Sequence, residues 1–198
     1  SLIHPSSVYG ITKQVQEQLV LTVPKALGIA GVAFRYQNVY GPGQSLSNPY
    51  TGILSIFSTR ILQKKSINIF EDGFESRDFV YIDDVLSATI MGIEKDEANG
   101  EVFNVGSGKL TTVKEVVSHL ISIYGIKVPV TISGNYRIGD IRHNFADLKK
   151  ITSKLGYKPK VLFEKGIVNF AQWVKLQSLV EDRYEESLME MKTKGLFK

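Results

Sequence analysis

The chain has 198 residues, 43% of them hydrophobic and none of them cysteine. It is long enough to bury a core and holds no disulfide, thiolate metal site or thiol nucleophile. Its formal charge of +4 comes from scattered lysines, with short pairs such as Lys64-Lys65 and Lys149-Lys150 and no basic stripe interleaved with aromatics, so a small anion rather than nucleic acid is the expected partner. No apolar run reaches the roughly 20 residues of a membrane span, and no charged-then-apolar leader is present. A cytoplasmic protein with no membrane partner is expected.

Val8, Ile11, Val15, Leu19 and Val23 recur at close to helical spacing, which predicts a helix over 8–27 that ends at Gly28. That helix sets Tyr9 and Lys13 four apart on one face, a phenol beside an ammonium. Such a pair arises wherever a lysine stem covers an aromatic ring. It is also the arrangement that lowers a tyrosine pKa and makes the phenolate a usable base toward a sugar hydroxyl. The pair by itself leaves both readings open.

Next, "IAGVAFRYQNVYGPG" begins as a buried strand and ends in a turn around Pro42. "GILSIFSTRILQKK" returns to helical period from Gly52, and "SINIFEDG" is a short strand running into a turn. "RDFVYIDDVLSATIMGIEK" reads as a strand and an apolar helix, with Asp83 or Asp84 as the N-cap. An arginine beside an aspartate, as in Arg77-Asp78, reads by itself as a strand-end ion pair. "GEVFNVGSG" is another buried strand. In "NVGSGKL", Gly106, Gly108 and Lys109 imitate the end of a phosphate loop, but the upstream glycine is missing and Leu110 stands where a Ser or Thr is needed. We read it as a strand-to-helix turn.

Thr112 and Glu115 have capping-box spacing and open a helix that closes on Gly125. "VPVTIS" is a strand, "ADLKKITSKLG" a helix capped by Asp147 and stopped at Gly156, and a last helix covers about 164–176. Strands and helices alternate without repeats, which predicts an α/β protein. No G-x-G-x-x-G turn occurs anywhere in the sequence. His143 stands alone, and with no metal-ligand spacing around it no metal site is expected.

Four stretches in order, "YGITK" at 9–13, "RYQNVYGPG" at 35–43, "EDGFESRDFVYIDDV" at 71–85 and "YRIGDIRHNFAD" at 136–147, together resemble the C-terminal half of the extended short-chain dehydrogenase/reductases, the NAD-dependent nucleotide-sugar epimerases and dehydratases. "PYTGILSIFSTR" and "GDIRHNFAD" look closest to the dTDP-rhamnose 4-epimerase or UDP-glucose 4-epimerase branch. The resemblance implies Tyr9 as the acid/base and Lys13 as the residue that holds the cofactor ribose. It puts the backbone of Tyr36 against the nicotinamide of NAD. For the nucleoside-diphosphate sugar it implies Asn38, Arg77 and Arg137 at the diphosphate and Asp140 at the ribose, a chemically coherent set of guanidinium forks and a carboxylate acceptor.

The same resemblance implies the C-terminal portion of a Rossmann-like parallel sheet, formed by 1–42 and 77–107, with a smaller α/β substrate lobe from 43–76 and 108–176 and an amphipathic tail over 177–198. The glycine-rich N-terminal half of such an enzyme is absent from this sequence, so the chain is expected to be inactive alone, with weak NAD binding or none. The helix over 9–27 is expected to serve a dimer interface, giving a homo-oligomer. The implied activity of the parent is 4-epimerisation through transient oxidation at C4; the alternatives are a 4,6-dehydratase or a non-catalytic nucleotide-sugar binding fragment.

Overall fold

The structure is a computed structural model that describes residues 5, 7–46, 52–178 and 184–197. The start of the "PYTGILSIFSTR" segment and part of the tail lie outside the described residues. Ser7 opens α1 (Val8–Leu27), its hydroxyl accepting from Gly10 N at 3.1 Å, and Gly28 closes it in the left-handed conformation with φ 66°. Then follow β1 (Ala33–Tyr36), β2 (Asn38–Tyr40), α2 (Ile53–Leu62), β3 (Ile67–Ile69), β4 (Ser76–Arg77), β5 (Phe79–Tyr81) and α3 (Ile82–Glu94). The remainder is β6 (Val102–Val105), β7 (Thr111–Thr112), α4 (Val113–Tyr124), β8 (Val130–Ile132), β9 (His143–Asn144), α5 (Lys149–Leu155), α6 (Phe163–Lys175) and α7 (Tyr184–Thr193).

The strands pair mostly in parallel, as strands joined through helices must. β1 runs beside β6 with Ala33 opposite Val102 and Tyr36 opposite Val105. At Gln37 the chain changes partner: Gln37 N donates to Val105 O at 2.9 Å, Asn38 N donates to Asp78 O at 2.9 Å, and β2 then runs parallel to β5. β3 is parallel to β8, while β4 lies between antiparallel β7 and parallel β9. The α/β reading of the sequence therefore holds, with "VAFRYQ" and "EVFNVG" as neighbours.

Apolar side chains gather in two main clusters. Val80, Ala88, Phe103, Val105, Ile151 and Leu155 join β5 and β6 to α3 and α5. Tyr40, Phe57, Phe79, Leu120 and Phe170 join β2 and β5 to α2, α4 and α6. Tyr40 is the centre of the second cluster, edge-on to Phe79 at 6.1 Å, Tyr81 at 5.5 Å and Phe170 at 6.4 Å between centroids. α6 can approach this ring only through a glycine, since a Cβ on Gly166 would fall 2.1 Å from the Tyr40 hydroxyl.

The structure corrects two local expectations, the caps of α3 and α5. α3 starts at Ile82 with Tyr81 as its N-cap and no side-chain cap. Asp84 is buried instead, and its carboxylate accepts from Lys160 N at 2.8 Å and Val161 N at 3.0 Å. The macrodipole still favours a carboxylate in that first turn, but the acceptor role lies in a distant backbone segment. Asp147 does accept from Lys149 N at 2.9 Å, although Leu148 holds the cap position of α5. The apolar series of α1 is helical but uncovered among the described residues: no residue of α1 is buried, and the helix is tied to β1 by Arg35 donating to Glu17 at 2.6 and 2.7 Å.

No Arg77–Asp78 pair forms among the described residues. Strand alternation sends the two side chains to opposite faces, and Asp78 is 0% exposed. Its Oδ1 accepts from Ser107 N at 2.7 Å and Ser107 Oγ at 2.6 Å, and its Oδ2 accepts from Gly108 N at 2.9 Å and Ala146 N at 3.1 Å. The 106–109 turn is thus a nest of N–H groups filled by a carboxylate of the same chain. Gly106 is required beside it, because a Cβ there would lie 2.4 Å from Asp78 Oδ2.

Asp78→Ala strands Ser107 N, Gly108 N and Ala146 N without their acceptor. At roughly 1 to 3 kcal/mol for a buried unsatisfied group, Ala146 N alone sets an expected loss of at least about 1 kcal/mol in a urea titration, the two turn N–H groups being part-buried. A loss below about 1 kcal/mol would mean that the carboxylate does not hold these segments together.

Candidate functional site

Alternation through "ESR" that turns Asp78 inward places Glu75 and Arg77 on the other side of the same extended stretch. A cavity of about 230 Å³ opens there. Its wall combines Asn38 from β2, Ile56 and Phe57 from α2, Asn68 from β3, Phe70, Glu75, Arg77, Thr111 from β7, Arg137, Asp140 and Tyr184 from α7. Asn38, Arg77, Arg137 and Asp140, expected at a nucleoside-diphosphate sugar, therefore line a single cavity although they come from three separate stretches.

Arg77 is held in place by acceptors on two strands. Its Nη1 donates to Ser76 O and to Arg142 O, both at 3.0 Å, and its Nη2 donates to Asp140 Oδ1 at 2.9 Å. Asp140 Oδ1 also accepts from Ile141 N at 2.8 Å. Arg142 leaves the cavity and forks between Glu71 and Asp72, at 2.5 Å to each. Arg137 differs: its guanidinium lies 5.6 Å from the Phe70 ring centroid, and its buried Nε has no hydrogen-bond partner among the described residues. His143 is accounted for by structure, with Nδ1 2.8 Å from Ser76 Oγ.

Tyr9, Lys13 and Tyr36 are not part of this wall. Tyr9 is 71% exposed, and Lys13 Nζ lies 5.3 Å from its ring centroid while donating to Gln16 Oε1 at 3.1 Å. The phenol and the ammonium share one open face of α1, as the spacing predicts. Tyr36 stacks on Phe34 at 5.8 Å, and its hydroxyl is 2.9 Å from Thr89 Oγ1 of α3.

For NAD the fit is partial. Tyr9 and Lys13 present an exposed hydroxyl and an exposed ammonium side by side, groups suited to a ribose diol and a sugar hydroxyl. A pyrophosphate needs free backbone N–H groups, and those of the 107–108 turn are taken by Asp78. No stretch of the sequence offers the glycine-rich alternative.

Glu75, Phe70 and Tyr184 were not read from the sequence. Glu75 had a signal, since it stands two residues before Arg77 on an extended stretch and so shares its face. Only 8% of it is exposed, and its Oε2 has no hydrogen-bond partner among the described residues. Burial pushes its carboxyl above the usual range, helped by the negative charges of Glu71 and Asp72 and opposed by Arg77. Tyr184 had no local signal, because its place in the wall depends on how α7 docks.

The profile of the NAD dependent epimerase/dehydratase family matches residues 1–106. Over 170 residues the chain is 39% identical to a dTDP-L-rhamnose 4-epimerase of Burkholderia thailandensis, covering 86% of this chain and 47% of that protein. It is 35% identical to a putative UDP-glucose 4-epimerase of Methanocaldococcus jannaschii, covering 87% of this chain and 55% of the relative. Among solved structures, the UDP-glucose 4-epimerase of Thermotoga maritima with UDP-glucose superposes with a TM-score of 0.79 at 37% identity, over 87% of this chain and 54% of that one. A UDP-glucuronic acid 4-epimerase of Bacillus cereus, in complex with UDP-glucuronic acid and NAD, superposes with 0.78 at 31%, over 88% and 54%. The chain spans about half the length of the curated relatives it matches.

Glu75 makes stability depend on pH in a stated direction. A carboxyl whose pKa is higher in the folded than in the unfolded chain costs stability as pH rises from below the unfolded value to above the folded one. Glu75→Gln removes that loss. In thermal melts between about pH 4 and about pH 7 the variant should gain on the wild type as pH rises. A constant difference across that range would show that Glu75 ionises as freely in the folded chain as in the unfolded one.

Proposed function

The chain belongs to the NAD dependent epimerase/dehydratase family, and on that premise we propose that it carries the nucleotide-sugar side and the acid/base of an NAD-dependent nucleotide-sugar 4-epimerase. The observation that carries this reading is the convergence of Asn38, Arg77, Arg137 and Asp140 on one cavity. A diphosphate is a planar-fork target for guanidinium groups, and a carboxylate beside them is what a ribose diol needs. Arg77 and Arg137 take the diphosphate, Asn38 gives it an amide, and Asp140 accepts from the ribose. When the ligand arrives its phosphate competes with Asp140 for Arg77.

Tyr9 and Lys13 serve the chemistry. Tyr9 is the general base that takes the proton of the C4 hydroxyl, with the Lys13 ammonium one turn away on the same face. NAD, held at its ribose by Lys13, would supply the acceptor for the C4 hydride and its return. Inversion requires the keto sugar to present its other face before that return, and Tyr9 then gives the proton back. The backbone of Tyr36 bounds the nicotinamide end. We place the pyrophosphate of NAD on a part of the parent enzyme that this sequence does not contain, because Asp78 fills the 107–108 nest; the activity therefore belongs to the full-length protein, and the chain by itself is a nucleotide-sugar binding unit.

Two further parts of the proposal concern organisation. The lobe that meets NAD comprises 1–42 and 77–107, and the substrate lobe 43–76 and 108–176. Self-association uses the apolar stripe of α1, on which Val8, Ile11, Val15, Leu19 and Val23 are exposed. No helix among the described residues is long and apolar enough to cross a membrane, in keeping with a proposed cytoplasmic site of action.

Tyr9→Phe in the full-length protein tests the chemistry. The variant should lose about a hundredfold to ten-thousandfold in kcat on its nucleoside-diphosphate sugar with KM nearly unchanged, because it removes a proton-transfer group and little contact area. Near-normal turnover would assign the proton transfer to another residue.

A further inference from the structure

The sequence treats residues 177–198 as a charged tail, yet the part described packs onto the cavity. Tyr184, Leu188, Met191 and Phe197 are buried together, with Ile56 of α2 and Phe70 packed against them. Tyr184 forms part of the cavity wall. Its ring carries the Arg60 guanidinium at 4.4 Å, and Arg60 Nη2 pairs with Glu185 at 3.1 Å, which fixes α7 against α2.

The far end of the segment meets Arg137. Phe197 and Arg137 form an isolated antiparallel bridge, and Ile138 N donates to Leu196 O at 3.1 Å. The Phe70 ring stands between the two side chains, 4.9 Å from the Phe197 centroid and 5.6 Å from the Arg137 guanidinium. A cation over an aromatic face is attracted by the ring quadrupole, and an edge-on neighbour fixes the angle of that ring. Arg77 has three acceptors to hold its guanidinium. Arg137 Nε has no hydrogen-bond partner among the described residues, so the direction of its guanidinium depends on Phe70 and on the backbone bridge.

We propose that residues 184–197 are a positioning element of the ligand site, in which Phe197, through Phe70 and the backbone of Arg137, holds the Arg137 guanidinium at the cavity for the diphosphate of a nucleoside-diphosphate ligand. The proposal rests on the reading of Arg137 as a phosphate contact. Phe197 touches neither sugar nor phosphate; it acts by removing the freedom of a long side chain before the ligand binds, which lowers the ordering cost of association. Tyr184, at the other end of the same segment, closes the wall of the cavity, so docking of the tail and completion of the site are one event.

The test is calorimetry on the full-length protein with UDP, dTDP, GDP, CDP and ADP, followed by a double-mutant cycle with whichever of them the wild type takes up. Arg137→Ala should weaken binding about tenfold to a hundredfold, as loss of a charged hydrogen bond does. Phe197→Ala should weaken it about tenfold alone and have no further effect in the Arg137→Ala background, because the two act as one unit. Phe197→Leu, which keeps an apolar side chain in the pocket of the tail and removes the ring, should fold like the wild type in thermal melts and still lose affinity several-fold.

Wild-type affinity in folded Phe197→Leu, or equal losses from Phe197→Ala in both backgrounds, would overturn the proposal while leaving the function above intact. Unchanged affinity in Arg137→Ala would overturn the proposal and the phosphate role of Arg137 together. A wild-type protein that takes up none of the nucleotides would remove the functional reading and this inference with it.

Discussion

The buried carboxylate of Asp78 is the constraint on which the rest of the site depends. It gathers N–H groups from the 107–108 turn and from Ala146, so the ends of β5, β6 and β9 meet around one charge. A carboxylate at zero exposure is tolerable only when its lone pairs are met, and here backbone dipoles and the Ser107 hydroxyl meet them. Because Asp78 turns inward, the residue before it must turn outward. Arg77 is carried to the cavity by the same alternation that buries its neighbour.

The charge arrangement of the cavity follows from that placement. β9 lies parallel to β4, so the carbonyl of Arg142 reaches Arg77, and the loop before β9 brings Asp140 to the same guanidinium. Arg142 itself pairs with Glu71 and Asp72, none of which lines the cavity. The net result is a wall with two guanidinium groups, one of them tied to a carboxylate that can be displaced. Phosphate oxygens are the groups best suited to take such a place.

Much of this was legible in the sequence where the governing interaction is local. The capping box of Thr112 and Glu115, the stops at Gly28, Gly125 and Gly156, and the strands in "VAFRYQ" and "EVFNVG" are readable from caps, glycines and apolar runs, while the placing of those two strands in one sheet came from the resemblance. Asp84 was misread because a first-turn carboxylate looks like a cap, whereas its partners Lys160 N and Val161 N are more than seventy positions away. The ion-pair reading of Arg77-Asp78, the local alternative to Arg77 as a ligand contact, fails for the same reason: the donors that satisfy Asp78 lie on other segments. The stripe on α1 is of another kind, since the helix itself is as the spacing predicts. Periodicity reports that a helix has an apolar face and says nothing of what covers it. In the cavity, Arg77, Arg137 and Asp140 follow from the resemblance, Glu75 carries only the alternation signal beside Arg77, and Phe70 and Tyr184 depend on tertiary docking that no motif records.

The most direct measurement is a crystal structure of the full-length protein with a nucleoside-diphosphate sugar bound. The expected result places the diphosphate between Arg77 and Arg137, with the Arg77–Asp140 pair opened, the ribose on Asp140 and the sugar C4 directed at the Tyr9 hydroxyl. A ligand seated elsewhere, with the Arg77–Asp140 contact intact at its present 2.9 Å, would contradict the assignment of this cavity.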